Sequence, residues 1–412
     1  MQNGYSPTTL YRMPWNLSDN AISWLEPTSK CNLRCDGCYR ENRMDSHKSL
    51  ETISHELDIF EKLRKTDSVS ITGGEPLSHP GIIDIVRMVK EKGWKPVINT
   101  NGELLTKELL KELKKAGVHA FTIHIDSGQS RPHWKGKNEL ELNELRLYYA
   151  RMIKEVKGVA CSFNSTVYPE TMKYIPEMVK WAHEHIDLVH ILVFIIYRMA
   201  IFNRDFDFYA GSQLLNVDEV LYAKEEDDRR TDITAPEVVE EIRKAYPDFM
   251  PSAYLNGTAQ SDSYKWLFAG RMGNKHQIFG YIGPKMMEFG QTVKHILTGS
   301  YLAYAKTETQ RRGRAFFLMA PFDKGVRTIA KNYFKSLTLN PKAFFSKLHY
   351  QTVLIIQPID FLPGGELNMC DGCPDMTVWN DGLVWSCRME EQYNWGMNVH
   401  AVSRSEGHGT AS

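Results

Sequence analysis

Three of the chain's seven cysteines lie within one short segment, CNLRCDGCYR, at Cys31, Cys35 and Cys38. Their spacing is C-x3-C-x2-C, and thiolates are ligands of zinc and of iron–sulfur clusters. Structural zinc sites close with four protein ligands, and ferredoxin-type clusters use four cysteines. The triplet therefore predicts a four-iron cluster with one iron left open for a further ligand. A zinc knuckle is the alternative.

A second cysteine triplet lies near the other end of the chain, with the spacing C-x2-C-x13-C. It consists of Cys370, Cys373 and Cys387, and a turn rich in Asn, Asp and Gly separates its last two members. This pattern predicts a short metal-binding hairpin. The motif fits either metal. One possibility is a second [4Fe-4S] cluster, with substrate, solvent or a distant side chain such as Cys161 as fourth ligand. The other is a zinc ribbon completed by His400 or His408.

A glycine pair follows the first triplet in the segment ITGGEP, which holds Gly73, Gly74 and Glu75. Consecutive glycines allow the backbone to approach a ligand closely. The glycine carbonyls and the Glu75 carboxylate could accept hydrogen bonds from an ammonium group.

Alternating strands and helices must position these segments between about residues 20 and 200. Thr106 is the expected N-cap of one helix and Gly117 its stop. Repeated βα units predict a parallel sheet, open or curled into a barrel, with ligands at the carboxyl ends of the strands. The six expected strands are Ala21–Leu25, Val69–Thr72, Val97–Thr100, Phe121–Asp126, Val159–Val167 and Leu188–Ile196.

The order of the two N-terminal motifs, a CxxxCxxC loop after strand one and GGEP after strand two, resembles the radical S-adenosylmethionine (SAM) superfamily. The resemblance implies an α/β fold, a radical SAM partial (β/α) barrel. It also implies that SAM binds the open iron and that Gly73, Gly74 and Glu75 contact its amino end. The reduced cluster of that family cleaves SAM to a 5′-deoxyadenosyl radical, which abstracts hydrogen from a substrate.

Further polar residues at strand ends fit the same resemblance. It implies that Asn101, Asp126 and Asn164 bind the ribose hydroxyls and the methionine carboxylate, although such residues also commonly form turns. His124 should face away from its apolar neighbours, toward a substrate or into a structural hydrogen bond. The sequence departs from the family at Gly37, where a bulky residue usually precedes the third cysteine. Adenine packing must therefore come from elsewhere.

The C-terminal triplet is similar to those of radical SAM proteins with SPASM or twitch domains, which carry auxiliary clusters. The expected organisation is an N-terminal extension (1–20), a radical SAM core (21–200), a helical or irregular insertion (201–350), an auxiliary iron–sulfur segment (351–402) and a disordered tail (403–412).

Composition restricts the function classes. Acidic and basic residues balance at 50 each, so no global charge indicates a nucleic-acid partner. The first 20 residues lack the basic start and apolar core of a secretory signal, and we expect a cytoplasmic protein. The expected partners are an electron donor such as flavodoxin or ferredoxin and a small-molecule, lipid or peptide substrate.

Residues 311–350 differ from the rest of the chain, because nine Lys or Arg stand against one acid, Asp323, among many Phe and Tyr. Such a segment suits a phosphate-bearing apolar molecule or a membrane surface, so peripheral membrane contact is one expectation. The alternative is a pair of amphipathic helices whose aromatic residues pack inward.

The combined prediction is a radical SAM enzyme acting on a lipid- or isoprenoid-like substrate, with a peptide maturase as the alternative. A non-catalytic zinc or iron–sulfur protein is the rival from another class.

Overall fold

The computed structural model of the chain describes residues 4–198, 206–216, 232–305, 307, 313–362 and 364–404. None of the helices in these ranges combines the length and the hydropathy that a membrane-spanning helix requires.

The strands and helices alternate through the first half of the chain and mix in the second. The strands are β1 Tyr11–Arg12, β2 Ile22–Leu25, β3 Ser68–Ile71, β4 Lys95–Thr100, β5 Ala120–His124, β6 Ala160–Val167, β7 Ile191–Ile196, β8 Phe206–Ala210, β9 Gln213–Leu214, β10 Ala253–Leu255, β11 Trp266–Gly273, β12 Ile278–Tyr281, β13 His349–Ile356, β14 Asp360–Phe361, β15 Leu367–Asn368, β16 Met376–Trp379, β17 Gly382–Trp385 and β18 His400–Ser403. The helices are α1 Leu50–Leu63, α2 Ile82–Glu91, α3 Lys107–Ala116, α4 Asn143–Glu155, α5 Ile175–Glu184, α6 Ala235–Ala245, α7 Pro284–Thr298, α8 Lys324–Leu339 and α9 Met389–Trp395.

One large sheet forms the centre of the molecule. Its strand order is β1-β10-β11-β13-β7-β6-β5-β4-β3-β2, with β12 paired to β11. Strands β2 to β7 are parallel, and so are β7 and β13, whereas β11 runs antiparallel to β13. The six predicted strands correspond to β2 through β7. The prediction of an α/β fold with a parallel sheet is confirmed.

The helices between these strands begin and end where local chemistry dictates. The Thr106 side chain caps α3 by accepting from the Leu109 amide, and Gly117 ends the helix in the left-handed conformation at φ 108°. Both were predicted from the sequence, because a hydroxyl satisfies a free amide and glycine adopts positive φ at low cost. Buried residues of α1, such as Ile53 and Phe60, join the main apolar core.

The two faces of the parallel sheet differ in chemistry. Phe121, Ile123 and Phe163 belong to the main core between sheet and helices. Because neighbouring residues of a strand point to opposite faces, Thr122 and Asn164 lie on the other, inner face of the sheet. The inner face of β4 to β6 is therefore largely polar.

Residues 253–281 and 349–356 differ from the expectation of a helical insertion followed by an auxiliary segment. β10, β11 and β13 continue the main sheet, and all eight residues of β11 are buried. A strand buried on both faces lacks the polar–apolar alternation by which a sequence reveals a strand. The chain leaves β11 at Gly273 and returns to the sheet in β13 at His349, and we call the described residues of 274–348 the excursion.

The C-terminal region forms small additional sheets. β16 and β17 make the predicted hairpin, with Asn380 and Asp381 at positive φ in its turn. β18 pairs with β8. Of the tail predicted to be disordered, residues 405–412 lie outside the described residues.

Candidate functional site

The first cysteine triplet lies on the loop that follows β2. The Leu33 amide donates to Cys31 Sγ over 3.5 Å, and the Cys38 amide donates to the Cys35 carbonyl over 3.4 Å. Burial raises the pKa of all three thiols, and the thiols of Cys31 and Cys38 raise that of Cys35 further. The three sulfurs are thus near neighbours at the carboxyl end of the sheet.

Gly73 and Gly74 pack against the backbone that leads into this loop. A Cβ atom at Gly73 would lie 2.1 Å from the Thr28 carbonyl oxygen, and one at Gly74 would lie 2.3 Å from that of Lys30. The Gly74 and Glu75 amides donate to these same two carbonyls over 2.9 Å and 2.7 Å. The glycines therefore fix the start of the cysteine loop, in addition to any contact with a ligand.

The Glu75 carboxylate points into the protein. Oε1 accepts from the Thr100 hydroxyl over 2.6 Å and from the Leu77 amide over 3.0 Å, while Oε2 accepts from the Asn101 amide over 2.8 Å. Burial raises the pKa of Glu75, and the hydrogen bonds from Thr100 and Asn101 oppose that shift. This side chain ties the end of β3 to the end of β4.

Asn101 links that junction to the cysteines. Its Nδ2 donates to Asn32 Oδ1 over 2.8 Å and approaches Cys31 Sγ at 3.8 Å. The predicted residue thus contacts the cysteine loop directly.

The buried Asp126 pairs with the partly exposed His124 at the end of β5. His124 Nε2 lies 2.6 Å from Asp126 Oδ2, and Asp126 Oδ1 accepts from the Gly128 amide over 2.9 Å. Burial alone would raise the pKa of Asp126, but His124 and the hydrogen bonds from Thr166 outweigh it, so the pKa is lowered. His124 pairs in register with Asn164 on the inner face, as predicted from its apolar neighbours.

Tyr197 occupies the space beside Gly37. A Cβ atom at Gly37, whose φ is +67°, would lie 2.6 Å from the Tyr197 ring. That ring packs on Tyr168 at 5.0 Å between centroids, and the Tyr168 hydroxyl donates to the Asp36 carbonyl over 2.8 Å. An aromatic group from the end of β7 therefore packs against Gly37, the residue before the third cysteine.

The second triplet lies against the apolar part of the inner face, which β11 and β13 form. Cys370 and Cys373 pack in one cluster with Trp266 and Phe268. A hydrogen bond from Cys370 and burial raise the pKa of Cys373. Burial, with Cys370 next, raises the pKa of Cys387 to about 12. The three cysteines are thus brought together.

Residues far apart in the sequence hold this C-terminal loop. Arg64 donates to the Cys373 carbonyl over 2.8 Å, and the Asn20 amide group donates to the Gly372 carbonyl over 3.0 Å. Arg12 pairs with Asp371 at 2.6 Å. The segment preceding β2 therefore binds the C-terminal loop.

A buried ion cluster connects the two cysteine loops. The Arg40 guanidinium pairs with Glu26 at 2.5 Å and with Glu390 at 3.8 Å. Tyr39 lies beside Cys38 in the chain and within electrostatic range of Cys387. The loops are thus neighbours through Tyr39 and Arg40.

Three features of the site were not predicted. Burial raises the pKa of Asp375 to about 7, with Arg64 opposing. The Tyr304 phenol lies near Thr122 on the inner face, and burial raises the pKa of Tyr304 to about 12. Within the described part of the chain, the buried atoms Asn99 Nδ2, Ser162 Oγ and Asn164 Oδ1 have no hydrogen-bond partner. No local sequence pattern identifies these residues, because each role depends on contacts between strands that lie far apart in the chain.

The other candidate ligands lie elsewhere. Cys161 is buried in the core on the outer face of β6, opposite Asn164. His400 is on β18, with its ring stacked on Tyr209 at 5.9 Å. His408 lies outside the described residues. In the described ranges, no group of three or more His, Cys, Asp or Glu side chains is placed to hold a single metal ion.

The residues at the first site fit an iron–sulfur cluster and SAM. Three thiols converge on one loop, the glycine pair brings backbone against that loop, and Asn164 Oδ1 is an unpartnered buried acceptor on the neighbouring inner face. Thiolates suit iron, and polar atoms suit the amino-acid and ribose groups of SAM.

Comparison with known proteins supports this interpretation. Residues 25–182 match the Radical SAM superfamily. The cofactor-modifying protein for tungsten-containing aldehyde ferredoxin oxidoreductase of Pyrococcus furiosus is 40% identical over 106 residues, which are 25% of this chain and 30% of that protein. The AdoMet-dependent heme synthase of Methanosarcina barkeri is 31% identical over 115 residues, 27% of this chain and 32% of that protein. The match spans about a third of each relative.

Among solved structures, SuiB of Streptococcus suis bound to precursor peptide SuiA is 22% identical, with a TM-score of 0.35, covering 44% of this chain and 40% of that chain. The family uses a [4Fe-4S] cluster and SAM. Residues 25–182 therefore form a radical SAM domain within this chain.

Proposed function

We propose that the chain is a radical SAM enzyme whose catalytic cluster is held by Cys31, Cys35 and Cys38. When bound, the reduced cluster and SAM supply a 5′-deoxyadenosyl radical that abstracts hydrogen from substrate. The observation that carries the proposal is the convergence of three thiols on a loop braced by Gly73 and Gly74.

The chain's own residues would bind and orient SAM. Asn101, Asp126 and Asn164 are proposed to contact it, because they lie at the ends of neighbouring strands around the cysteine loop. Gly73 and Gly74 would present backbone to its amino end. Glu75 would act mainly as a positioning residue, since its oxygens already accept three hydrogen bonds within the protein.

We further propose that Cys370, Cys373 and Cys387 hold an auxiliary [4Fe-4S] cluster. The substrate would then lie between the two cysteine loops, beside Tyr39 and the polar inner face. Asn99 Nδ2 and Ser162 Oγ have no hydrogen-bond partner among the described residues, which favours a substrate that carries hydrogen-bonding groups. A flavodoxin or ferredoxin would supply electrons.

The described basic and aromatic residues between 313 and 348 do not line this site. They belong to the excursion between β11 and β13, at the amino end of the parallel strands. They therefore give no support to a lipid- or isoprenoid-like substrate, and a peptide substrate is equally compatible with the polar inner face.

Anaerobic reconstitution tests the proposal. The wild-type chain should bind about eight iron atoms, as expected for two four-iron clusters, and should release 5′-deoxyadenosine from SAM with reductant. Cys31→Ala should lose the product and about half the iron. Cys370→Ala should lose about half the iron but keep substrate-independent SAM cleavage. Cys161→Ala, in the apolar core, is the matched control and should change neither quantity.

Two results would contradict the assignment. Zinc at both triplets, or loaded clusters without SAM cleavage, would instead identify a non-catalytic metal protein. If Cys370→Ala abolished cleavage in folded protein with its first cluster loaded, the division of roles between the triplets would be wrong.

A further inference from the structure

The excursion between β11 and β13 leaves and rejoins the sheet at the end of the barrel opposite the cysteine loops. Gly273 and His349, where it leaves and returns, are paired in register. His349 begins a strand parallel to β7, so this pair lies at the amino end of the parallel strands. Lys294 of α7 also reaches Asp67, one residue before β3, at 3.0 Å.

Large apolar side chains protrude from this excursion. The exposed fractions are 81% for Leu318, 65% for Phe322, 56% for Phe334, 82% for Leu339, 52% for Phe344 and 87% for Phe345. Isolated apolar residues are common on protein surfaces, but grouped ones indicate an interaction.

Ring contacts connect several of these side chains into one surface. Phe317 lies 5.8 Å from Phe334, and Phe344 lies 5.8 Å from Phe345, between ring centroids. The Arg314 guanidinium lies 4.6 Å from the Phe344 ring and 5.7 Å from that of Tyr333, which itself neighbours Phe334. The 3₁₀ segments Gly313–Met319 and Pro341–Phe345 thus meet α8.

The same surface is positively charged. Lys324, Arg327, Lys331 and Lys335 are exposed on α8 at spacings of three and four residues, which places them on one helical face. We call α8, the two 3₁₀ segments and the adjoining Lys347 the basic-aromatic face.

The acidic residue of the segment that carries the basic-aromatic face is buried. Asp323 is the single Asp or Glu between residues 313 and 350, and only 1% of it is exposed. Its carboxylate accepts from the Gly283, Met286 and Val326 amides and so caps both α7 and α8. The described part of the basic-aromatic face therefore carries cations without an exposed acid.

A basic cleft continues this face. It has a volume of about 380 Å³, and its lining includes Lys154, Lys275, His276, Lys347 and His349. The lining acid, Asp187, pairs with Lys275 at 3.0 Å. The cleft extends the positive surface from Lys347, which belongs to both.

We propose that the basic-aromatic face docks the protein on a bilayer that contains anionic phospholipid. Phe344, Phe345 and Leu318 would enter the boundary between headgroups and acyl chains, while the α8 lysines meet lipid phosphates. Apolar side chains that protrude between cations suit contact with a bilayer surface, whereas a bound peptide would need a groove. Because the face lies opposite the cysteine loops, the bilayer is an anchor and not the substrate. The proposal does not depend on the radical chemistry.

Vesicle co-sedimentation of the full reconstituted chain tests the proposal. Binding to phosphatidylcholine vesicles should rise about tenfold when phosphatidylglycerol is included, because each basic residue near an anionic surface adds to the attraction. High salt should reverse that gain, since the charges are exposed. This salt titration needs no variant, so it is independent of any folding defect.

Two variants separate the contributions. Each of two double variants should lower binding to the anionic vesicles by about tenfold. One replaces two cations, Lys331→Glu with Lys335→Glu, and the other replaces two aromatic rings, Phe344→Ser with Phe345→Ser. The matched control is Lys111→Glu with Lys115→Glu, an exposed pair with the same spacing on α3. It should leave binding within about twofold of wild type if the α8 face makes the contact. Unchanged iron content and melting temperature would show that the variants fold.

Three outcomes would overturn the proposal. The first is no binding to anionic vesicles, including the case in which the chain binds only an acidic protein or DNA. The second is equal binding to neutral and anionic vesicles. The third is loss of binding in the α3 control as large as that in the α8 variant.

Discussion

Glu75→Gln would test whether the buried carboxylate positions the cysteine loop. Glutamine has nearly the same shape, but it offers one acceptor oxygen and one amide donor. If its oxygen keeps the bonds from Thr100 and Leu77, its amide nitrogen faces the Asn101 amide, which now donates to Glu75 Oε2 over 2.8 Å. Two donors would then oppose each other inside the protein.

The expected cost follows from these contacts. A buried donor left without a partner costs about 1–3 kcal/mol, and exchanging a charged acceptor for a neutral one weakens each remaining bond by about 1 kcal/mol. Burial raises the pKa of Glu75, which indicates that removing the charge also relieves a desolvation cost. The net destabilisation should be about 2–4 kcal/mol.

The assay compares melting temperature, iron per chain and SAM affinity under anaerobic conditions. Glu75→Gln should melt several degrees lower and should lose iron from the first site. Glu112→Gln on exposed α3 is the matched control, because a surface pair such as Glu112–Lys115 contributes at most about 1 kcal/mol.

Wild-type stability and iron content in Glu75→Gln, with weaker SAM binding as its only defect, would refute this reasoning. The carboxylate would then act on the cofactor directly, and the internal hydrogen bonds would be secondary.

Two further predictions concern packing and pH. Gly37→Ala should lower the free energy of unfolding by about 2–4 kcal/mol and reduce the iron content, because it places a side chain at positive φ against Tyr197. Adding Tyr197→Leu should restore part of the loss. Additive effects of the two substitutions would contradict the contact. Burial lowers the pKa of His183 to about 4, and its ring lies 2.7 Å from the Tyr246 hydroxyl and 2.9 Å from the Asn274 carbonyl. Because the pKa of His183 in the folded protein lies below its ordinary value, the neutral ring stabilises the fold fully above pH ~6.5. This contribution is lost as the pH falls toward ~4, and the free energy of unfolding should drop by about 2 kcal/mol between pH 7 and 5. Melting temperatures of wild type and His183→Gln should show a flatter pH dependence in the variant, and parallel curves would contradict the assignment.

Local chemistry explains what the sequence predicted well. The parallel strands β2 to β7 carry apolar runs separated by helical periodicity, and the Thr106 cap and Gly117 stop each depend on a single residue type. The cysteine triplets were visible because several thiols in one short segment have few uses. Such features need no knowledge of the closed fold.

Long-range packing explains what it did not predict. Tyr197 meets Gly37 across 160 residues, and Arg40 meets Glu390 across 350. β11 is buried on both faces and so shows no alternating pattern. The GGEP motif itself was visible, but the inward direction of the Glu75 carboxylate follows from how β3 and β4 end side by side.

The central claim is that the open position of a three-cysteine cluster at Cys31, Cys35 and Cys38 binds and cleaves SAM. The most direct measurement is 5′-deoxyadenosine release by the anaerobically reconstituted chain with SAM and dithionite. We expect release by wild type and none by Cys31→Ala, Cys35→Ala or Cys38→Ala. Undiminished release by any one of these variants, or none by wild type with both clusters loaded, would contradict the account.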